Sequence, residues 1–277
     1  MNKYLKFTAS AVVLSGLILI TGCSSGGDSG TPAPIVPVVP ANATVIDAIN
    51  AEPLVQVAVS SATALGSALS VETTQVLSLK SAINIIQPLL KNISTANVAA
   101  GATFSDPCSG GGSISGSTTE TNDGTTFTEE GTANFNNCVE SGFTINGSVD
   151  FNFSENIMGV HTEEVSGTLT LSFSSESFSF SNLTYEVTGN NQLFTYTINQ
   201  LTYSIEFDFS TESGGFLVTL SAPIVENSMD GDLCPESGAV KITGGNSTTA
   251  EGIYNGDGTM TIKANDAVIN AVAFCYN

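Results

Sequence analysis

The chain has no tryptophan, no arginine and one histidine, His161. Six lysines face 26 acidic residues, giving a formal charge of −20. Phosphate binding needs clustered Lys and Arg, so this balance excludes nucleic acid as a partner and repels anionic lipid head groups. Charged residues are only 12% of the chain, and Ser, Thr and Asn supply most of its polarity. No C-x-x-C and no second histidine is present to build a metal site of the zinc type. No G-x-x-x-x-G-K-[ST] or G-x-G-x-x-G occurs, and no G-x-S-x-G follows residue 26, so nucleotide loops and nucleophile elbows have no support. After Ile20 no stretch approaches the ~20 apolar residues of a membrane span.

What is present begins with a leader. Lys3 and Lys6 precede an apolar run, Ala9 to Ile20, that is too short for a mature transmembrane anchor. It ends in Ile20-Thr21-Gly22-Cys23, which resembles the lipobox of bacterial lipoproteins. The resemblance implies cleavage of a signal peptide, residues 1–22, and a thioether from Cys23 to diacylglycerol. It also implies acylation of the new amine by a palmitate-type chain. Ser24 after the lipidated cysteine implies the outer membrane of the cell envelope, the protein facing the periplasm or the surface. Each acyl methylene buried is worth ~0.8 kcal/mol, so two or three chains hold the protein to the membrane. Residues 23–43 then read as a tether, flexible through Ser24–Gly30 and stiffer through the proline-rich Pro32–Pro40. The processed chain carries 26 acids against four lysines, a charge of −22.

Outside the cytoplasm, four further cysteines, Cys108, Cys138, Cys234 and Cys275, read as two disulfides. Three connectivities are open; Cys108–Cys138 with Cys234–Cys275 is favoured because each bridge closes one local block of strands.

Residues 44–100 show helical spacing. Pro53 suits the first turn of a helix near Leu54–Leu69, and Val76, Leu79, Ile83, Ile86 and Leu90 form a stripe that Pro88 should kink or end. Residues 101–277 read as an antiparallel β domain, and from Gly110 the period is two. Segments such as "SVDFNFS", "GTLTLSF" and "YSIEFDF" alternate apolar and polar, as strands do with one dry and one wet face. At Asn146-Gly147, Phe143, Ile145, Val149, Phe151 and Phe153 share one parity, which predicts a single long strand with a local irregularity. At Asn199-Gln200 a two-residue turn aligns Ile198 with Leu201 and Tyr196 with Tyr203; a bulge restores the same parity. "NLTYEV" (182–187) and "QLTYSI" (200–205) form a faint repeat consistent with a meander. The fold class expected is mainly β: a curled antiparallel sheet of about ten strands, or a barrel-like meander, with the N-terminal helices packed on it.

No catalytic residue and no cofactor is assigned. His161 in "VHTEEV" has Glu163 at i+2 on its own face, a conceivable general base, but reads more simply as a solvated imidazole on a polar strand face. Asp230, Asp232 and Glu236 in "NSMDGDLCPE", with Asp257 in "YNGDG", are weak calcium candidates without EF-hand spacing. The leading expectation is a non-enzymatic envelope lipoprotein whose β domain is structural or binds another protein. One alternative is lipid or hydrophobic-ligand binding, resembling the half-barrel-plus-helix design of periplasmic lipoprotein carriers. A second is glycan or ice binding through the T-x-T steps Thr168/Thr170, Thr195/Thr197 and Thr259/Thr261.

Overall fold

Period two organises almost the whole described chain. The computed structural model describes residues 37–66, 103–140, 142–173, 176–190, 195–208, 213–227 and 235–273. Cys23, Cys234, Cys275, Asp230, Asp232 and the stripe from Val76 to Leu90 lie outside these residues. The strands are β1 (Thr103–Pro107), β2 (Ser113–Asn122), β3 (Thr126–Glu140), β4 (Phe143–Asn156), β5 (Val160–Phe173) and β6 (Glu176–Asn190). They continue with β7 (Thr195–Asp208), β8 (Ser213–Asn227), β9 (Pro235–Thr243), β10 (Thr249–Tyr254), β11 (Thr259–Ala264) and β12 (Ala267–Ala273). All twelve form one antiparallel sheet in chain order. The sheet is a meander and does not close into a barrel. One helix, α1 (Ala51–Gly66), packs against it.

Register turns the alternation into a continuous dry face. Ile114, Phe135, Gly147, Leu169, Phe180, Ile205 and Phe216 are successive partners in one row from β2 to β8. A row further along carries Ala250, Ile242 and Val218, and all the non-glycine members of both rows are buried. Burying such Leu, Ile and Phe side chains stabilises by roughly 1.5–3 kcal/mol each before entropy is counted.

Asn146-Gly147 lies inside β4, and the irregularity falls on the partner strand, between Phe135 and Cys138 of β3. There Asn137 takes φ +47° and its N–H donates to Asn146 Oδ1 at 2.8 Å. Asn199-Gln200 is not a turn. β7 runs straight through it, with register shifts against β6 and β8 on either side. A bulge keeps the apolar parity without reversing the chain, so Ile198, Leu201, Tyr203 and Ile205 all stay buried. The two copies of the faint repeat are cross-strand neighbours, pairing Thr184 with Thr202 and Tyr185 with Leu201.

Cys108 and Cys138 are at disulfide distance, Cα–Cα 5.3 Å. Their loop is clamped to the end of β3 by Gly110 N to Val139 O and Val139 N to Gly111 O, both 2.8 Å, and by Ser109, whose N–H and hydroxyl both donate to the Glu140 carboxylate at 2.6 Å.

Asp47 opens the helical region by accepting from the N–H groups of Ile49 and Asn50 at 2.8 and 3.0 Å. Pro53 stands in the first turn, where no intrahelical N–H is needed. The helix lies over β7, β9, β10 and β11, with Ala51, Val55, Ala58 and Val59 buried. Gly252 of β10 makes room for Val55: a Cβ there would stand 2.4 Å from Val55 Cγ1. The close of the proline-rich stretch is also docked. Ser204 Oγ donates to Val38 O at 2.5 Å, and Pro40 is buried beside Gly215. No described helix is long and apolar enough to cross a membrane.

Candidate functional site

The polar face of β2–β7 is built by the same register. One row is Thr119, Glu130, Asn152, Glu164, Glu186 and Gln200; the next is Ser117, Thr132, Asp150, Ser166, Thr184 and Thr202. On the other side of the acidic row run six hydroxyls in succession: Thr121, Thr128, Ser154, Thr162, Thr188 and Thr197. All of the first two rows but Thr202, with Gly131, Phe151, Val165 and Tyr185 between them, line an open groove of about 620 Å³. Some of its polar atoms are already engaged. Asn152 Nδ2 donates to Glu164 at 3.2 Å, and Asn199 Nδ2 donates to Glu186 at 3.0 Å and to Thr188 at 3.1 Å. Glu130, Asp150 and Glu164 are exposed, and the two lysines among the described residues, Lys241 and Lys263, lie on β9 and β11. Lys263 pairs with Glu251 at 3.1 Å. Burial pushes the Glu251 carboxyl up, but donation from Ser221 and Lys263 outweighs it and leaves the group below its usual range. The groove therefore presents carboxylates and hydroxyls without a resident cation among the described residues.

The apolar face turns polar toward the ends where β3, β5 and β7 start. His161 shares the parity of Val165, Leu169 and Leu171, so it stands on the apolar face, half-buried, and not on the polar face its neighbours in sequence suggest. Its register partner is Gly189, and a Cβ on Gly189 would lie 2.4 Å from the imidazole Cε1. The ring thus crosses a strand that offers no side chain, approaching Tyr196 (centroids 5.8 Å) on one side and Phe153 (6.4 Å) on the other. The same cross-strand device recurs with Phe104 over Gly116, Phe151 over Gly131 and Phe207 over Gly214. Glycine opposite an aromatic lets the ring cover bare backbone.

Around His161 the register places Glu155 and Glu163 on β4 and β5, and Glu226 on β8 opposite Tyr196. Glu226 is 5% exposed and Tyr185 1%. Neither Glu226 Oε1 nor the Tyr185 hydroxyl has a hydrogen-bond partner among the described residues, nor does His161 Nδ1. Burial holds the Glu226 carboxyl up at about 7. Burial, then the charges of Glu163 and Glu226, push the Tyr185 phenol well above its usual range. On β3, Glu129 is also buried on this face, raised to about 7 by burial and then by Glu120.

The candidates from sequence fare unequally. Glu236 is exposed at the start of β9, while its proposed calcium partners Asp230 and Asp232 are outside the described residues. Asp257 is used within its own turn, accepting from Thr259 N at 3.0 Å and Thr259 Oγ1 at 2.5 Å; those bonds hold its carboxyl below the usual range. The one group of three close metal-ligand atoms among the described residues is Cys108, Cys138 and Glu140, which the disulfide and the Ser109 clamp account for. The T-x-T steps sit on β5, β7 and β11 and do not make one array. The hydroxyl array runs across strands instead. Glu226, Glu129 and Tyr185 carried no signal in the sequence beyond alternating strand residues.

Compared with known proteins, the chain matches no family model, no curated protein and no solved structure.

Proposed function

We propose that this is a non-enzymatic lipoprotein of the cell envelope, held through Cys23, whose β body binds another envelope protein at the groove of β2–β7. The observation that carries this reading is the in-register row Glu130, Asn152, Glu164, Glu186 flanked by hydroxyl rows. A partner surface bearing Lys or Arg complements that row in charge, and the flanking hydroxyls give and accept hydrogen bonds along its edges. The meander suits the role because short connections fix every strand against its neighbour, which preorganises the surface. The lipobox accounts for the address: lipid through Cys23, export to the outer membrane, and a tether of residues 23–43 whose last part, from Val38, contacts the sheet.

The test is crosslinking in intact cells with wild type and a Glu164→Lys/Glu186→Lys variant. A partner captured by wild type and lost in the variant supports the reading; equal capture by both defeats it. Palmitate labelling lost in Cys23→Ser tests the anchor separately.

A second reading, glycan binding, is favoured by the six-hydroxyl row from Thr121 to Thr197. A blank glycan array disposes of it. Ligand binding between helix and sheet has less support, because Ala51, Val55, Ala58 and Val59 fill the space over β9–β11.

A further inference from the structure

On the face opposite the acidic row, the sheet carries a polar constellation that the reading above does not use. Its floor is Tyr185 and Glu226, both more than nine-tenths buried, each with a polar atom lacking a partner among the described residues. Near them on the same face stand His161, Glu163 and Tyr196, all half-buried and so within reach of solvent. A buried carboxyl oxygen without a partner is costly, and it persists where water, an ion or a ligand satisfies it.

The donor set limits what the ligand is. A bare metal ion needs several ligand atoms converging, and the described residues bring three together only at Cys108, Cys138 and Glu140. Here the charges of Glu163 and Glu226 both act on the phenol of Tyr185, and the rings of Tyr196, His161 and Phe153 follow one another at 5.8 and 6.4 Å. Carboxylates beside aromatic faces suit an organic ammonium, which gains from hydrogen bonding, charge and the ring quadrupoles together. The described chain has no cation to offer, since Lys241 and Lys263 belong to the opposite face. Burial with nothing cationic nearby is also why the Glu226 carboxyl stands so high.

We propose that Glu226, Tyr185, Glu163, His161 and Tyr196 form a binding site for a small organic ammonium ion. The chain supplies its own reporter, because His161 is the only histidine. Full-length protein in detergent, labelled at histidine, is titrated with butylammonium and tetramethylammonium chloride while the imidazole carbon-bound proton resonances are followed by NMR. Sodium chloride at equal ionic strength is the control.

The expected result is a saturable shift with at least one ammonium ion and none with sodium. Affinity should fall at least tenfold in Glu226→Gln and several-fold in Tyr185→Phe, and stay unchanged in Glu251→Gln, on β10 and the opposite face of the sheet. No saturable shift, an equal shift with sodium chloride, or undiminished affinity in Glu226→Gln overturns the proposal. Should Glu226→Gln not fold, Tyr185→Phe decides in the same way.

Discussion

The strands of β3–β8 and those of β9–β12 divide one sheet into unlike halves. The first run 14 or 15 residues, ~46 Å at the usual rise, and the second run six to nine. In the short half this face is mostly apolar: Val240, Ile242, Ala250, Met260, Ile262 and Ala264 are buried there, while Tyr254 adds a hydroxyl and Asn270 an amide that donates to Glu52 of the helix. A helix of 16 residues is ~24 Å long, which matches strands of that length. In the long half the rows beyond the apolar core carry Glu129, His161, Glu163 and Glu226 on the same face. Length past what a core needs is where polar chemistry was placed. The lesson is that one alternating pattern builds both a hydrophobic seam and, where it overruns that seam, a candidate site.

The largest test of this contrast is truncation in the seam itself. Ile262→Ala, fully buried in the short half, should lose about 2–5 kcal/mol by denaturant melting, and Ile145→Ala in the long half a similar amount. A much smaller loss at Ile145 would mean the long half is not part of the same core.

Next comes the staple of the long half. Cys108→Ser opens a loop with a sequence separation of 30 and should cost about 2–4 kcal/mol, while the folded sheet register persists by hydrogen exchange.

Glu226→Gln goes the other way. Its carboxyl sits at about 7 folded and near 4.5 unfolded. Between those values the folded chain holds the extra proton, so wild-type stability falls as pH rises through that window. Above 7 the whole penalty applies. The glutamine variant should be more stable at pH 8 by about 1–3 kcal/mol, with a Tm higher by several degrees, and no different at pH 4. Equal Tm at pH 8 would show that this carboxyl is not desolvated.

Smaller still, Lys263→Met removes a partly buried ion pair in the short half and should cost under about 1 kcal/mol, less in high salt.

Much of this fold was legible because period two is physical: adjacent side chains must point to opposite faces, so alternation reports burial directly. The shared parity of Phe143, Ile145, Val149 and Phe151 was enough to reject a hairpin at Asn146-Gly147. The same reasoning could not separate a turn from a bulge at Asn199-Gln200, since both conserve parity and only cross-strand partners distinguish them. The face of His161 is hidden in the sequence for a related reason. Its neighbours Thr162, Glu163 and Glu164 look polar on both sides, and the apolar residues that fix its face begin only at Val165. The candidate ligand set was not legible, since Tyr185, Tyr196 and Glu226 sit on three other strands.

The sequence by itself determined the alternating strands, and it favoured a meander of near neighbours and the pairing of Cys108 with Cys138, because each depends on local sterics or short chain separation. Tertiary structure alone decided the rows: which hydroxyls and carboxylates stand side by side, and which glycine lies beneath His161. Rows depend on register and bulges, which sum small choices over many strands, and a shift of one residue would send every one of those side chains to the opposite face.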